Sequence, residues 1–234
     1  MGEHTLRIAF WDDQGGGKTS LAACTVDEFD RLGRTGRLVI VSPDPAVGRR
    51  GARNPLAERC GHVLVLTDDL AARGVDWPAA MADEPRLYVQ LDTVRYPAAC
   101  LGDLGEALRH AEDALVVFDE AYRTVPVQAD ERLLDLFVNG RKHGIDVITV
   151  SASAMQRNGA GISPLVWDQA NMHVCFQITD ENVRGKIAEK APPIAAELPT
   201  LATPRDGGEP EYAVYFGGPP PRAAVHTRTG RRAL

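Results

Sequence analysis

Short apolar runs alternate with amphipathic stretches along most of the 234-residue chain. Each apolar run has the length of a strand and is ended by glycine, proline or polar residues, which predicts a strand. The predicted strands are Thr5–Trp11, Leu38–Val41, His62–Leu66, Leu87–Leu91, Ala114–Phe118, Ile145–Val150, His173–Ile178 and Glu211–Phe216. Between them, helical spacing and capping residues predict helices over Lys18–Leu32, Asp68–Arg73, Ala98–Ala111, Asp130–His143, Leu165–Ala170 and Asp180–Lys190.

The alternation of strands and helices predicts an α/β domain with a mostly parallel sheet and helices on both faces. We expect one domain over residues 1–216, because no repeat or break in composition divides it. The Pro-, Gly- and Arg-rich residues 217–234 are expected to form a tail. No apolar run approaches the ~18 residues of a membrane-spanning helix, so no transmembrane segment is expected.

Charge restricts how the chain can meet nucleic acid. It carries 26 basic and 32 acidic residues, a net charge of −6, so bulk attraction to nucleic acid is not expected. Local arginine clusters are candidates for contacts with DNA phosphates. One is in a predicted loop and one in the expected tail: Arg49, Arg50, Arg53; and Arg222, Arg228, Arg231, Arg232. The four cysteines lack the paired spacing of zinc sites and fit a reducing compartment.

The glycine cluster after the first strand has the organisation of a phosphate-binding P-loop: strand, glycines, Lys-Thr, helix. Glycines let backbone N–H groups approach phosphate oxygens, and the helix N-terminus adds partial positive charge. Lys18 is expected to reach the β- and γ-phosphates of ATP, and the Thr19 hydroxyl to bind Mg²⁺. The residues expected to bind the nucleotide are Gly15, Gly16, Gly17, Lys18, Thr19 and Ser20.

The loop departs from the usual G-x-x-x-x-G-K-[ST] pattern at its first position, where Asp12 replaces glycine. Aspartate adopts positive φ more readily than most residues, so the loop is expected to keep its conformation. Trp11 directly precedes the loop. We expect it to pack against the sheet rather than to stack on adenine.

An acidic pair, Asp119-Glu120, follows the apolar strand Ala114–Phe118 and looks like a Walker B segment with its catalytic glutamate. Asp119 is expected to hold Mg²⁺, and Glu120 to orient and polarise the attacking water. Two solvated acids at a strand end are the alternative. The position downstream of a phosphate loop, with strand candidates between, favours the catalytic assignment.

Residues 140–151 and 173–180 resemble the FtsK–HerA superfamily of DNA-translocating ATPases. There a helix ends in arginine, Gly-Ile leads into a strand with a polar sensor, and a later strand reads R/H-hydrophobic-x-F-Q. With the P-loop and the acidic pair, the resemblance covers roughly residues 5–190. It implies a P-loop ATPase of the additional-strand, catalytic-glutamate type, with one strand inserted between the P-loop strand and the Walker B strand.

The resemblance also implies further site residues. The superfamily commonly has glutamine after the sensor strand, where this chain has Ala152, so Ser151 or Ser153 is the candidate for the γ-phosphate contact and Gln156 a remote one. Arg141 is the candidate for an arginine finger acting in trans on the γ-phosphate held by a neighbouring subunit, and offsetting the helix dipole is its alternative. Arg157 is the next candidate for the finger.

Within this superfamily, the bare ATPase core resembles the genome-packaging ATPases of tailless, internal-membrane viruses with double-jelly-roll capsids. That resemblance implies ATP and Mg²⁺ as cofactors, double-stranded DNA as partner and a homo-oligomeric ring, pentameric or hexameric. It also implies a possible capsid or membrane-vertex partner, and a location in the host cytoplasm or at the capsid vertex.

Three other functions stay open at this point. One is a phage-assembly ATPase of the zonula-occludens-toxin type, which the lack of an expected transmembrane segment disfavours. Another is a nucleotide-dependent switch or small-molecule kinase, although Asp119-Glu120 suits water activation better. The third is a binding protein with an inactive P-loop, which Asp12 and Ala152 keep open.

Overall fold

The computed structural model describes residues 5–12, 16–48, 51, 53–111, 113–152, 161–204 and 208–234, which form a ten-stranded sheet with helices. The strands are β1 (Arg7–Trp11), β2 (Arg37–Ser42), β3 (His62–Thr67), β4 (Arg86–Asp92), β5 (Ala114–Phe118), β6 (Asp146–Ser151), β7 (Met172–Cys175), β8 (Tyr212–Phe216), β9 (Arg222–Thr227) and β10 (Gly230–Ala233). The helices are α1 (Lys18–Arg31), α2 (Asp68–Arg73), α3 (Trp77–Asp83), α4 (Ala98–Arg109), α5 (Ala121–Thr124), α6 (Glu131–Asn139), α7 (Pro164–Gln169), α8 (Glu181–Lys190) and α9 (Pro192–Ala195). Short 3₁₀ segments occupy Ala57–Arg59, Gly140–His143 and Leu198–Thr200.

The strand order across the sheet is β10-β9-β8-β7-β1-β6-β5-β2-β4-β3. Strands β7 through β3 in this order pair in parallel, whereas β8, β9 and β10 extend one edge in antiparallel pairing. Strand β6 lies between β1 and β5, which is the inserted strand that the resemblance implies. The expected α/β class with a mostly parallel sheet is therefore confirmed.

Two hydrophobic cores cover the two faces of the sheet. Because successive strand residues point to opposite faces, the fully buried strand β5 supplies both cores. Val116 and Phe118 join the core that holds α4 and α6. Leu115 and Val117 join the core that holds α1. Helices therefore flank both faces, as the unbroken apolar run of β5 predicts.

Most predicted elements agree with the structure within a few residues. The bounds of α2 and β5 are the predicted ones. The helix expected to reach His143 ends at Asn139 and continues as the 3₁₀ segment. Strand β7 ends at Cys175, three residues before the predicted end at Ile178. These differences lie at the ends of helices and strands, which hydrophobic spacing predicts less well than their centres.

The expectation of a separate tail over 217–234 is wrong for residues 222–233, which form strands β9 and β10 of the sheet. Ala224 and Val225 are buried, so β9 contributes to the core. Arg228, at the turn between the two strands, donates its backbone N–H to Glu211 Oε1 at 3.1 Å and its Nε–H to the Glu209 carbonyl at 3.0 Å. A short apolar stretch and these contacts hold the arginine-rich segment in the domain.

Among the described ranges, no helix combines the length and the apolar character that a membrane span requires.

Candidate nucleotide-binding site

The parallel strands place the predicted site residues at one edge of the sheet, the edge where these strands end. Strand β1 ends at Trp11 beside Ser151 of β6, and Phe118 of β5 pairs with Val41 of β2. The loops after β1, β5 and β2 therefore leave the sheet on the same side. In open α/β sheets this edge carries the crevice in which ligands bind.

The phosphate loop enters helix α1 through a left-handed residue. Gly17, the N-cap, has φ 93°, a conformation that glycine adopts without a Cβ clash. Its carbonyl accepts the first helical hydrogen bond, from Leu21 N–H at 3.0 Å. Lys18 is buried, with its Nζ 3.6 Å from Asp12 Oδ2. Asp12 Oδ2 also accepts a hydrogen bond from Gly16 N–H at 2.5 Å.

The remaining loop residues differ in their surroundings. Thr19 is half-buried and Ser20 is exposed in the first turn of α1. Gly15 lies outside the described residues. Thr19 directly follows the buried Lys18, and its role as a metal ligand stays a prediction.

Asp119 follows β5 directly and is almost completely buried, with 1% of its surface exposed. Its Oδ2 accepts a hydrogen bond from Ser42 Oγ at 3.0 Å. Burial raises the pKa of Asp119 to about 6, against the lowering effect of the Ser42 hydrogen bond, and the charges of Glu120 and Asp44 raise it further. A carboxylate held in this way is poorly compensated until a cation joins it.

Glu120 has an unusual backbone conformation, with φ 46° and ψ 58° at the N-cap of α5. Left-handed φ in a non-glycine residue is uncommon and aims the side chain in a direction that an ordinary strand end does not give. Its buried Oε2 accepts no hydrogen bond from the described residues. Burial raises the pKa of Glu120, while the positive charge of Lys18 lowers it and Asp44 raises it. Glu120 and Lys18 are therefore close enough for their charges to interact.

Two residues of this site were not predicted from the sequence. Ser42 ends β2 beside β5, and its Oγ accepts a hydrogen bond from Asp44 N–H at 3.1 Å while donating to Asp119. Tyr88 on β4 donates its hydroxyl to the Asp44 carbonyl at 2.8 Å. In the sequence, Ser42 is only the polar residue that follows the predicted strand Leu38–Val41. The available signal was that a polar residue ends a strand that pairs with the one carrying the acids.

The sequence matches no protein-family profile and no curated protein, but solved structures match nearly the whole chain. One is the genome-packaging NTPase B204 from Sulfolobus turreted icosahedral virus 2 in complex with AMP, 12% identical, covering 95% of this chain and 97% of B204 with a TM-score of 0.68. Another is B204, the DNA-packaging ATPase from Sulfolobus turreted icosahedral virus, 15% identical, covering 97% and 98% with a TM-score of 0.68. The chain has the fold of a P-loop NTPase.

The N-terminal domain of zonular occludens toxin from Neisseria meningitidis is 11% identical over 96% of this chain and 95% of that one, but its TM-score of 0.44 is too low to support an inference. The P-loop NTPase fold expected from the phosphate loop and the acidic pair is confirmed.

In this P-loop NTPase fold, Ser151 ends the inserted strand β6 beside the phosphate-loop strand. It is completely buried. Its position at the site edge suits the expected γ-phosphate contact, which stays a prediction. Ser153, Gln156 and Arg157, the alternatives for sensor and finger, lie outside the described residues.

Arg141 lies on the opposite side of the sheet, where the parallel strands begin, in the 3₁₀ segment before β6. It lines a cavity of about 140 Å³ together with Arg34, Asp113 and Asp146. Strand β6 separates this cavity from Ser151, a span of about 17 Å at the ordinary rise of a strand. Arg141 is therefore remote from the nucleotide site of its own chain, and the expected role in trans stays a prediction.

Trp11 is buried among aromatic rings. Its Nε1–H donates to His173 Nδ1 at 3.1 Å, and its ring centroid lies 4.9 Å from that of Trp167. Burial lowers the pKa of His173 to about 4, which keeps the imidazole neutral and its Nδ1 free to accept. The expectation that Trp11 packs in the fold is confirmed.

Proposed function

We propose that this chain is an ATPase that moves double-stranded DNA, and that it packages a viral genome. The observation that carries the proposal is that the phosphate loop, Asp119 and Glu120 lie together where the parallel strands end. The full-length match to the packaging NTPase B204 supports the same assignment, with FtsK–HerA membership as its family setting.

The residues at this edge fit a Mg²⁺–nucleotide complex. Asp119 is a buried carboxylate whose pKa stays raised although the Ser42 hydroxyl and the Glu120 backbone N–H both donate hydrogen bonds to it. Oxygen ligands of this kind are the ones that Mg²⁺ prefers. Asp119 and the Thr19 hydroxyl would hold the ion, which supplies charge compensation for the phosphates when bound. The B204 structures include complexes with ATP-γ-S and AMPPCP, which supports ATP as the ligand here.

The division of labour among the other residues follows from their chemistry. Lys18 balances phosphate charge with its ammonium group, and loop N–H groups orient the phosphates. Glu120 accepts a hydrogen bond from the attacking water and positions it in line with the γ-phosphate. Its raised pKa makes it a better proton acceptor than a surface glutamate. Ser151, at the end of β6, contacts the γ-phosphate through its hydroxyl.

Double-stranded DNA is the proposed partner, and a homo-oligomeric ring, pentameric or hexameric, the proposed assembly. A ring would bring Arg141 of one subunit to the nucleotide of the next, which explains why this arginine lies so far from its own site. The further partner is a capsid or membrane-vertex protein, with the motor in the host cytoplasm or at the vertex. The Arg228 side chain donates hydrogen bonds to two backbone carbonyls of the domain. Within residues 217–234, the exposed Arg222 and Arg231 are therefore the better candidates for DNA contacts.

The experiment is ATP turnover by the assembled protein, with and without double-stranded DNA. Stimulation by duplex DNA, together with a native mass of five or six subunits, is the expected result. Lys18→Ala is the control, because it removes the phosphate-binding ammonium. Turnover that is insensitive to DNA at every protein concentration would leave a nucleotide-dependent switch as the function.

A further inference from the structure

The phosphate loop already holds a negatively charged group of its own. The Asp12 carboxylate accepts a hydrogen bond from Gly16 N–H at 2.5 Å and lies 3.6 Å from Lys18 Nζ. Asp12 is buried, with 3% of its surface exposed. A Cβ added to Gly16 would overlap this carboxylate. The side chain therefore turns back into the loop instead of pointing to solvent.

These partners are the groups that a nucleotide needs. A P-loop binds phosphate through loop N–H groups and the ammonium of its lysine. Gly16 N–H and Lys18 Nζ are one of each kind. A carboxylate oxygen resembles a phosphate oxygen in charge and in hydrogen bonding, so both cannot use the same donors at once. Their like charges also oppose close approach.

We propose that Asp12 is an intramolecular competitor of the nucleotide phosphates and sets the affinity of the loop. The proposal rests on the nucleotide site described above. Without nucleotide, the carboxylate satisfies a buried N–H group and offsets the charge of Lys18. Binding of a polyphosphate requires it to leave both partners. The free energy needed to displace Asp12 therefore weakens the binding of phosphate groups and does not affect the binding of the base or the ribose.

The competition by Asp12 is not expected in a P-loop of the usual sequence. The usual P-loop has glycine here, which carries no side chain to enter the loop. Asparagine would keep the size and the hydrogen-bond acceptor of Asp12 and remove its charge. Glycine would remove the side chain altogether. The two substitutions therefore separate charge from occupancy, and one remains informative if the other fails to fold.

The test measures the dissociation constants of AMPPCP, ADP, pyrophosphate and adenosine for the parent, Asp12→Asn and Asp12→Gly. A charge-assisted hydrogen bond contributes on the order of the 1.4 kcal/mol that equals a tenfold change, so Asp12→Asn should bind each phosphate ligand about tenfold more tightly than the parent. Asp12→Gly, which also removes the side chain, should bind them at least as tightly as Asp12→Asn. Adenosine affinity should not change. Asp83→Asn is the matched control, because it removes an exposed carboxylate at the end of α3 and should leave all four constants unchanged.

Equal or weaker phosphate binding by both Asp12 variants would overturn the proposal while leaving the nucleotide site intact. A gain that extends to adenosine would also overturn it, because the effect would then not act on the phosphates. Absence of phosphate binding by the parent and by every variant would overturn the nucleotide site itself and this inference with it. Lys18→Ala, added to Asp12→Asn, should abolish the gain.

Discussion

Ser42 Oγ donates a hydrogen bond to Asp119 Oδ2 at 3.0 Å, joining the ends of the paired strands β2 and β5. The bond fixes one carboxylate oxygen of a buried acid. Burial nevertheless raises the pKa of Asp119 to about 6. The protein therefore holds a carboxylate whose ionisation is less favourable than that of an exposed aspartate, and in the absence of a cation this lowers the stability of the fold.

We predict that Asp119→Asn stabilises the nucleotide-free protein. The folded carboxyl binds its proton more tightly than the unfolded one, so the stability of the parent falls as the pH rises from about 4 to about 6. A pKa shift of about two units corresponds to about 3 kcal/mol. At about pH 7.5 the free energy of unfolding of Asp119→Asn should exceed that of the parent by about 2 kcal/mol, measured by denaturant titration, and Mg²⁺-dependent nucleotide binding should be weakened.

The difference between Asp119→Asn and the parent should shrink at about pH 4, where the folded parent is protonated. Asp83→Asn, at an exposed position, should match the parent at both pH values. A variant that is less stable than the parent at neutral pH would contradict the assignment of Asp119 as a buried, poorly compensated charge.

We predict that Glu120→Gln separates nucleotide binding from hydrolysis. Glutamine keeps the shape of the side chain but cannot take a proton from water, so turnover should fall about 10²–10⁴-fold while the affinity for ATP is retained. Single-turnover hydrolysis and equilibrium binding measure the two steps. Glu131→Gln, on the exposed first turn of α6, is the matched control and should hydrolyse ATP like the parent. Parental turnover by Glu120→Gln would place water activation on another residue.

The positions of Asp119 and Glu120 can be predicted from the sequence, whereas the residues that contact them cannot. The apolar run of β5 and the acids after it are enough to place Asp119 and Glu120, because a buried parallel strand has one pattern and its end has one location. Ser42 is not predictable in the same way, since its role depends on which strand pairs with β5. The left-handed φ of Glu120 likewise comes from the chain turning into α5, which no residue type signals.

Helix α3 and strand β9 are two further elements that the sequence analysis does not predict. Helix α3 was not predicted, although Asp76 caps it by accepting a hydrogen bond from Ala79 N–H at 3.1 Å. The strand β9 was concealed by proline, glycine and arginine around only a few apolar residues. Its stability comes from pairing with β8 on one side and β10 on the other, a long-range property that composition does not carry.

We predict that Val225→Ala destabilises the whole domain, because Val225 of β9 is buried in the core that holds α4 and α6. Loss of the two methyl groups should lower the free energy of unfolding by about 2 kcal/mol. Arg231→Ala, on the exposed strand β10, should change it by less than about 0.5 kcal/mol. Denaturant titration of both variants checks this. Equal stability of Val225→Ala and the parent would restore the interpretation of this segment as a separate tail.

We predict that Arg141 acts on the neighbouring subunit's nucleotide. A guanidinium can contact two γ-phosphoryl oxygens at once, and such fingers contribute on the order of 10³–10⁵ in rate. Arg141→Ala and Glu120→Gln should each be inactive alone in the assembled state. Mixed, they should regain partial turnover where an intact site faces an intact arginine. Parental turnover by assembled Arg141→Ala would leave only a helix-end role for this residue.

The most direct test of the proposed motor is displacement of a third strand from a DNA triplex placed at one end of a long duplex. A protein that moves along double-stranded DNA strips the third strand as it passes. We expect the assembled parent to do so with ATP, and not with AMPPCP or as Glu120→Gln. DNA-stimulated ATP hydrolysis by the assembled parent, with the third strand retained at every duplex length, would contradict translocation.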